Sequence, residues 1–167
     1  MTRPANLAHA LHGKRLLIFD FDGTVADTSP LHAAAFARAL APLGLEVDYP
    51  SIAGMKTIDA MYKCLAASGR ELAAEDVNAL VVKKQRLVRQ MIKKSLASLP
   101  GMDEFLYWAR PRFRLSMATS GSRGTVQLAL EKLGYVGWFD PVVCADDVPS
   151  AKPNPACFLR VLSMTGI

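Results

Sequence analysis

The sequence has few cysteines and lacks any hydrophobic run long enough to cross a membrane. Its three cysteines, Cys64, Cys144 and Cys157, are odd in number and widely spaced, without a Cys-x-x-Cys pair. This pattern argues against a disulfide framework or a zinc site and favours reduced, buried thiols in a cytoplasmic protein. No stretch approaches the roughly 18 consecutive apolar residues of a transmembrane helix, so we expect no membrane partner.

The N-terminus also lacks the features of a secretory signal. His9 and His12 interrupt its mildly apolar part, and no continuous hydrophobic core is present. The segment therefore does not resemble a signal peptide, and we expect residues 1–13 to form a loose tail.

Acidic residues are missing from one long stretch of the chain, between Asp76 and Asp103. Apolar residues alternate there with basic ones, which predicts an amphipathic helix with its cations on the solvated side. Attraction of an anionic substrate is the alternative. No aromatic residue accompanies the cations, so we expect no nucleic-acid partner despite the net charge of +5. The cations are Lys83, Lys84, Arg86, Arg89, Lys93 and Lys94.

The rest of the chain shows both strand-like and helical patterns. A chain of 167 residues with 51% hydrophobic content is long enough for one domain, or for a core with an inserted subdomain. Strands that alternate with helices predict a parallel sheet, and three consecutive helices after the first strand predict a helical insert. The predicted strands are 15–20, 113–119 and 142–145, the insert helices are 30–44, 58–69 and 74–96, and the later helices are 102–109, 125–133 and 155–164.

The first strand leads into residues 19–27, which have the sequence FDFDGTVAD. Asp20 and Asp22 are two residues apart, so a strand would place both on one face at its carboxyl end, where open α/β sheets bind ligands. An aspartate there can attack phosphorus while a second carboxylic acid protonates the leaving oxygen. Two carboxylates this close need a cation, which implies Mg²⁺ with Asp20 and Asp22 as ligands. A turn-capping role is the alternative, because Asp-Gly is a common turn signal.

Further polar residues follow the predicted strands in positions suited to binding phosphate. The Gly23 amide and Thr24 can contact a phosphate oxygen after the first strand. Thr119 ends the second strand, and Ser120 follows before a helix, where hydroxyls and free amides favour a phosphoryl group; a simple cap and turn is the alternative. Lys152 follows the third strand and can neutralise a carboxylate and a phosphate together, although many such lysines are solitary surface residues.

Together these motifs resemble the haloacid dehalogenase superfamily. The resemblance rests on Asp-x-Asp-Gly-Thr-Val-x-Asp-Thr at the first strand, a hydroxyl at the end of the second, and Lys-Pro-x-Pro after the third. Thr28, His32 and Phe36 are similar to the opening of the C1 helical cap in the β-phosphoglucomutase-like branch. Within that branch, the sequence resembles fructose-1-phosphatase-like phosphatases somewhat more than it resembles the mutases. The resemblance implies an α/β fold with a three-layer, Rossmann-like parallel sheet. Its core would comprise residues 14–27 and 99–167, and its cap residues 28–98.

The resemblance also implies residue roles. Asp20 would be the nucleophile that forms an aspartyl-phosphate, and Asp22 the general acid and then base. The Asp20 carboxylate and the Asp22 backbone carbonyl would bind Mg²⁺. Thr119 would bind the transferring phosphoryl group, and Lys152 would hold nucleophile and phosphate together. The expected activity is a magnesium-dependent phosphatase acting on a small phosphorylated metabolite such as a sugar phosphate.

The cap contributes further candidates to the site. Gly54, Lys56 and Thr57 fall where such caps present a substrate-facing loop, with a plain turn between helices as the alternative. Two alternative functions are also consistent with the sequence of the whole chain. One is phosphoryl transfer of the β-phosphoglucomutase type, and the other is a truncated, catalytically impaired fragment or phosphate-binding module.

The sequence departs from the family pattern in its C-terminal part. The fourth motif, an acidic pair that supplies another metal carboxylate, would lie beyond Ile167. Asp146 and Asp147 precede Lys152 and occupy a different loop, and Ala156 stands where an acid usually follows Lys-Pro-x-Pro. The core would therefore lack its last strands. We expect the first strand to have one bare apolar edge, which favours self-association.

Overall fold

The computed structural model describes residues 9–150 and 152–167, so most of the predicted tail, residues 1–8, lies outside the described part. Residues 9–11 are helical. Short 3₁₀ turns occupy Ala41–Leu43 and Ala145–Asp147. The strands are β1 (Leu16–Phe19), β2 (Arg114–Ala118) and β3 (Val142–Val143), and the helices are α1 (Ser29–Leu40), α2 (Tyr49–Ile52), α3 (Thr57–Ala67), α4 (Ala74–Lys94), α5 (Met102–Ala109), α6 (Arg123–Leu133) and α7 (Ala156–Thr165).

The three strands form a parallel sheet in the order β1-β2-β3, as the alternation of strands and helices predicts. Leu17 lies opposite Leu115, and Met117 lies opposite Val142. Among the described strands, β1 is at the edge and pairs with β2 alone. The carboxyl ends of β1 and β2 therefore lie side by side.

Helices cover both faces of the sheet and complete three layers. Successive residues of a strand face opposite sides, so alternate side chains of β1 and β2 enter different clusters. One face packs against α5 and α6, through Phe19, Leu115, Met117, Leu106, Val126 and Leu130. The other face packs against α7, through Ala118, Val143, Cys157 and Val161. The α/β, three-layer prediction is confirmed.

A second hydrophobic cluster lies within the helical segment between β1 and α5. Its buried residues come from α1, α2, α3 and α4 and include Phe36, Leu40, Met61, Leu65 and Val77. Burial of each large side chain of this kind contributes about 1.5–3 kcal/mol. We call residues 28–98 the cap; its boundaries stay a prediction that the separate cluster supports.

Two chain segments connect the cap to the sheet and run side by side. The Asp27 amide donates to the Ala97 carbonyl at 3.0 Å, and the Leu99 amide donates to the Val25 carbonyl at 3.1 Å. Ala26 and Ser98 form an antiparallel bridge between these bonds. The cap therefore leaves and re-enters the core at one place.

The structure differs from the prediction in its shortest helix and its shortest strand. The cap has a fourth helix, α2, which the sequence analysis missed because four residues are too few to show helical periodicity. Strand β3 has only two residues. Across residues 9–150 and 152–167, none of the helices combines the length and apolar character needed to span a membrane.

Candidate active site

A tight turn after β1 carries the two aspartates of the first motif. Phe21 and Val25 are buried, and the Phe21 carbonyl accepts a hydrogen bond from the Val25 amide at 2.9 Å. Gly23 has a φ of 72°, a left-handed conformation that glycine adopts without strain. Phe21 points into the core, whereas its neighbours Asp20 and Asp22 are only partly buried.

The expectation that one strand face carries both aspartates is wrong. Strand β1 ends at Phe19, so Asp20 and Asp22 lie in the turn. The sequence analysis predicted the strand over residues 15–20, because the apolar run from Leu16 to Phe19 shows no break before Asp20. The turn, and not the strand, therefore positions the two carboxylates.

Two predicted phosphate contacts lie in the same turn. The Gly23 amide donates to the Ala26 carbonyl at 2.9 Å, and the Thr24 amide donates to the Phe21 carbonyl at 3.2 Å. Both amides are satisfied within the turn, so neither is free for a phosphate oxygen in this conformation. A contact through the Thr24 hydroxyl stays a prediction.

Lys152 joins the ends of the first two strands. Its Nζ atom donates to Asp20 Oδ1 at 2.8 Å and to the Ala118 carbonyl at 2.8 Å. The ammonium group has three donors, so these two contacts leave one for another oxygen. The structure thus brings Lys152 and Asp20 together, and the lysine is not a solitary surface residue.

Asp22 contacts the first helix of the cap. Thr28 Oγ1 donates to Asp22 Oδ1 at 2.6 Å, and His32 Nε2 lies 3.3 Å from the same oxygen. Burial raises the pKa of Asp22, but the contact with His32, the Thr28 hydrogen bond and the charge of Lys84 together lower it by more. The pKa therefore lies below its ordinary value, and Asp22 is a carboxylate at neutral pH.

His32 connects Asp22 to a buried lysine of helix α4. Lys84 is 2% exposed; its Nζ lies 2.8 Å from His32 Nδ1 and 4.5 Å from the centre of the Phe36 ring. Lysine cannot accept a hydrogen bond, so Nζ donates to Nδ1, and the His32 proton then sits on Nε2, facing Asp22. Burial lowers the pKa of Lys84 to about 8, although the charge of Asp22 raises it.

The sequence analysis placed Lys84 on a solvated helix face, and this is wrong. The buried residues of α4 are Val77, Lys84, Val88 and Ile92. Their spacings of seven and four residues put them on one side of the helix. This spacing was the signal that could have separated Lys84 from the other cations.

The loop after β2 approaches Asp22 from the opposite side. Thr119 Oγ1 accepts a hydrogen bond from the Gly121 amide at 3.0 Å. A Cβ atom at Gly121 would lie 2.8 Å from Val126 Cγ2 and 3.5 Å from Asp22 Oδ2, so only glycine fits. The Ser120 hydroxyl is buried without a hydrogen-bond partner among the described residues. This hydroxyl is therefore available to a ligand.

Two neighbouring spaces, which share Thr57, Gln85, Ser120 and Ser122 in their walls, lie between the cap and this loop. The inner cavity, of about 40 Å³, is lined by Asp22, His32 and Lys84 together with the predicted cap residues Gly54 and Thr57. The outer space, of about 290 Å³, borders the same loop and opens to solvent. Its lining includes Lys56, Thr57, Gln85, Ser120, Ser122 and Asp146.

The acidic pair before Lys152 is already engaged. Asp146 Oδ2 accepts a hydrogen bond from the Arg123 amide at 2.6 Å, at the N-terminus of α6. Asp147 forms an ion pair with the Arg123 side chain and accepts from the Cys144 amide at 2.7 Å. Both carboxylates are therefore held by contacts at the start of α6 and within their own loop.

Few protein oxygens in the described part of the chain are available near Asp20 to hold a hard cation. No group of three or more histidine, cysteine or acidic side chains in the described residues could hold a metal ion. The Asp20 carboxylate and the Asp22 backbone carbonyl supply oxygen ligands of the kind Mg²⁺ prefers. Mg²⁺ keeps several waters and uses one or two carboxylates plus substrate phosphates, so two protein oxygens fit this mode of binding.

The structure places an aspartate bound by a lysine at the carboxyl end of a parallel sheet, with a helical cap inserted after the first strand, as expected for the family that the sequence resembles. Residues 17–167 match the family model of haloacid dehalogenase-like hydrolases. The chain belongs to this family. The resemblance seen in the sequence is confirmed.

Several of the named relatives are phosphatases. The chain is 32% identical over 151 residues to the fructose-1-phosphate phosphatase YqaB of Escherichia coli, covering 90% of this chain and 80% of that protein. It is 28% identical to a phosphorylated carbohydrates phosphatase of Thermotoga maritima, covering 90% of this chain and 70% of the other. These relatives support a phosphoric monoester hydrolase.

Solved structures share the fold. β-Phosphoglucomutase from Clostridium difficile superposes with a TM-score of 0.83 at 20% identity, over 92% of this chain and 71% of that one. CbbY from Rhodobacter sphaeroides, in complex with phosphate, gives 0.81 at 22% identity, over 92% and 73%. At this identity the likeness establishes the α/β fold with its parallel sheet.

Proposed function

We propose that the protein is a magnesium-dependent phosphatase of a small phosphorylated metabolite, a sugar phosphate, acting through an aspartyl-phosphate on Asp20. The observation that carries the proposal is the Lys152 ammonium held between Asp20 Oδ1 and the Ala118 carbonyl. The phosphatases named among the relatives, one for fructose-1-phosphate and one for phosphorylated carbohydrates, support the substrate class.

Lys152 and Asp20 would act on the phosphoryl group together. Lys152 orients the Asp20 carboxylate through their hydrogen bond, and its third donor reaches a phosphoryl oxygen. The Asp20 carboxylate forms a bond to phosphorus as the bond to the leaving oxygen breaks. Mg²⁺ held by the Asp20 carboxylate and the Asp22 carbonyl would neutralise phosphate charge.

The loop after β2 would hold the remaining phosphoryl oxygens. Thr119 Oγ1 already accepts from the Gly121 amide, so its own proton is free to be donated. The buried Ser120 hydroxyl, without a partner among the described residues, offers a second donor. Donors fixed before the substrate arrives need no reorganisation during the reaction.

Asp22 would transfer protons at the leaving oxygen and then at water. Its lowered pKa suits the second role, because the ionised carboxylate is the base that removes a proton from water. His32 Nε2–H faces this carboxylate, and Lys84 fixes the histidine proton on that nitrogen. His32 and Lys84 are therefore positioning residues for Asp22.

The first test is phosphate release from a panel of sugar phosphates with and without Mg²⁺. We expect metal-dependent release that Asp20→Asn lowers by at least about a thousandfold, since the nucleophile is lost. The matched control is Asp59→Asn, on the exposed side of α3, which should retain wild-type rates. Equal activity of the Asp20 and Asp59 variants would contradict the assignment.

A phosphate-binding module without turnover is the second candidate. It is favoured by the lack, in the described residues, of a larger group of metal-binding side chains. It predicts binding of inorganic phosphate, measured by calorimetry, with no release from any substrate in the panel. Mg²⁺-dependent turnover would exclude it.

The proposed location is the cytoplasm. All three cysteines, Cys64, Cys144 and Cys157, are free thiols. Free thiols persist in a reducing compartment.

A further inference from the structure

Lys56 makes a contact between the cap and the core that its sequence position does not predict. It lies between α2 and α3 in the cap. Its Nζ atom donates to the Val148 carbonyl at 2.8 Å and to the Pro149 carbonyl at 3.3 Å. Both acceptors belong to the core loop that follows β3. The side chain is half-buried, so solvent only partly competes for these bonds.

The core loop that Lys56 contacts also carries Lys152. Val148 is buried against Ala118 and Val143, next to the ends of β2 and β3. Only two residues separate Pro149 from Lys152, and the Lys152 ammonium donates to Asp20. The position of the cap loop is thus linked through a short piece of backbone to the Asp20–Lys152 pair.

A second hydrogen bond between cap and core, made by Arg89, lies at a different place from the Lys56 bonds. Arg89 Nε donates to Thr125 Oγ1 at 3.1 Å, and its guanidinium packs over Gly124. Arg89 is on α4, the helix that leads into the connecting segment at residues 97–99. Lys56 is in the loop between α2 and α3, many residues away from both segments that connect the cap to the core. Its hydrogen bonds therefore tie to the core a part of the cap that lies far along the chain from both connecting segments.

We propose that Lys56 is a positioning residue that latches the cap over the site and keeps the Lys152 loop in place. The sequence prediction assigned Lys56 to substrate contact, but two of its three donors are used by core carbonyls. Lys56 borders the outer space, of about 290 Å³. The latch therefore closes one wall of that space. Its effect on catalysis rests on the proposed function, whereas its effect on the cap does not.

The latch is tested by hydrogen–deuterium exchange on the full chain without substrate. Hydrogen bonds to charged groups are strong enough that their loss should speed local exchange by about tenfold or more. In Lys56→Met we expect this increase at residues 119–125 and 148–152. The matched control is Lys63→Met, because Lys63 Nζ donates to the Ser51 carbonyl at 2.7 Å entirely within the cap.

Kinetics separate a latch from a substrate ligand. A latch predicts a kcat/KM about tenfold lower in Lys56→Met, with recovery in Lys56→Arg, whose guanidinium can donate to the same carbonyls. Unchanged exchange in Lys56→Met, whatever happens to KM, overturns the proposal. If the wild-type protein releases no phosphate, the proposed function fails, but the exchange comparison still decides whether Lys56 latches the cap.

Discussion

Lys84 has an environment that lysine tolerates poorly. It is almost fully buried and faces His32, Phe36 and, beyond the histidine, Asp22. Because burial disfavours its charged form, the pKa falls from 10.5 to about 8. This difference corresponds to about 3 kcal/mol. Holding the Lys84 cation in this buried position next to His32 therefore lowers the free energy of unfolding.

This cost predicts a pH dependence of stability. Between pH 8 and 10.5 the unfolded chain binds the Lys84 proton and the folded chain does not, so this residue makes stability rise with pH there. Below pH 8 both states are protonated, and the cost is fully present. Urea unfolding of the wild-type and Lys84→Met proteins should show the variant's relative stability highest below pH 8 and falling above it.

The comparison of the two proteins isolates Lys84 from other groups that titrate at high pH. Tyr135, whose pKa burial raises to about 12, is the same in both proteins. A difference in unfolding free energy that stays constant from pH 7 to 10 would contradict the assigned pKa of Lys84.

At the scale of elements, the connection from β2 to α6 is fitted closely to the turn after β1. Gly121 lies where a side chain would meet Val126 and approach Asp22. The two turns approach each other because neighbouring parallel strands end at one edge of the sheet. Small changes in this connection should therefore disturb the site.

Gly121→Ala tests this fit. The added methyl would overlap Val126 Cγ2, so we expect a loss of about 1–3 kcal/mol in unfolding free energy and a fall in kcat. The control is Gly124→Ala in the same segment, where a Cβ meets only the flexible end of Arg89 at 3.3 Å. Denaturant unfolding and turnover are measured for both variants. Equal losses of unfolding free energy and of kcat in the two variants would contradict the close fit inferred at Gly121.

For the whole molecule, binding at a site between cap and core should stabilise both together. A ligand that binds only the folded state at a hundred times its Kd adds about 2.7 kcal/mol. We expect Mg²⁺ with inorganic phosphate to raise Tm, and Lys152→Met to reduce the rise, because Lys152 supplies a donor to phosphate. Calorimetric melting measures this; an equal rise in the Lys152→Met variant would contradict its role.

The sequence analysis predicted the features that follow from the order of strands and helices. It missed the features that depend on how side chains pack in the folded protein. The Asp20–Lys152 pair could be predicted because parallel strands must end at one edge. The orientation of Lys84 required the buried spacing of α4, which charge alone obscured. Helix α2 depends on packing of Tyr49 and Ile52 within the cap and shows no periodicity of its own.

The distribution of the three thiols has a practical consequence. Cys144 and Cys157 are buried in the core, and burial raises the pKa of Cys144 to about 11. Cys64, on α3 of the cap, is only partly buried. A thiol-reactive fluorophore should therefore attach to the native chain at Cys64 alone. The unmutated protein already carries a single attachment point for a probe of how the cap moves.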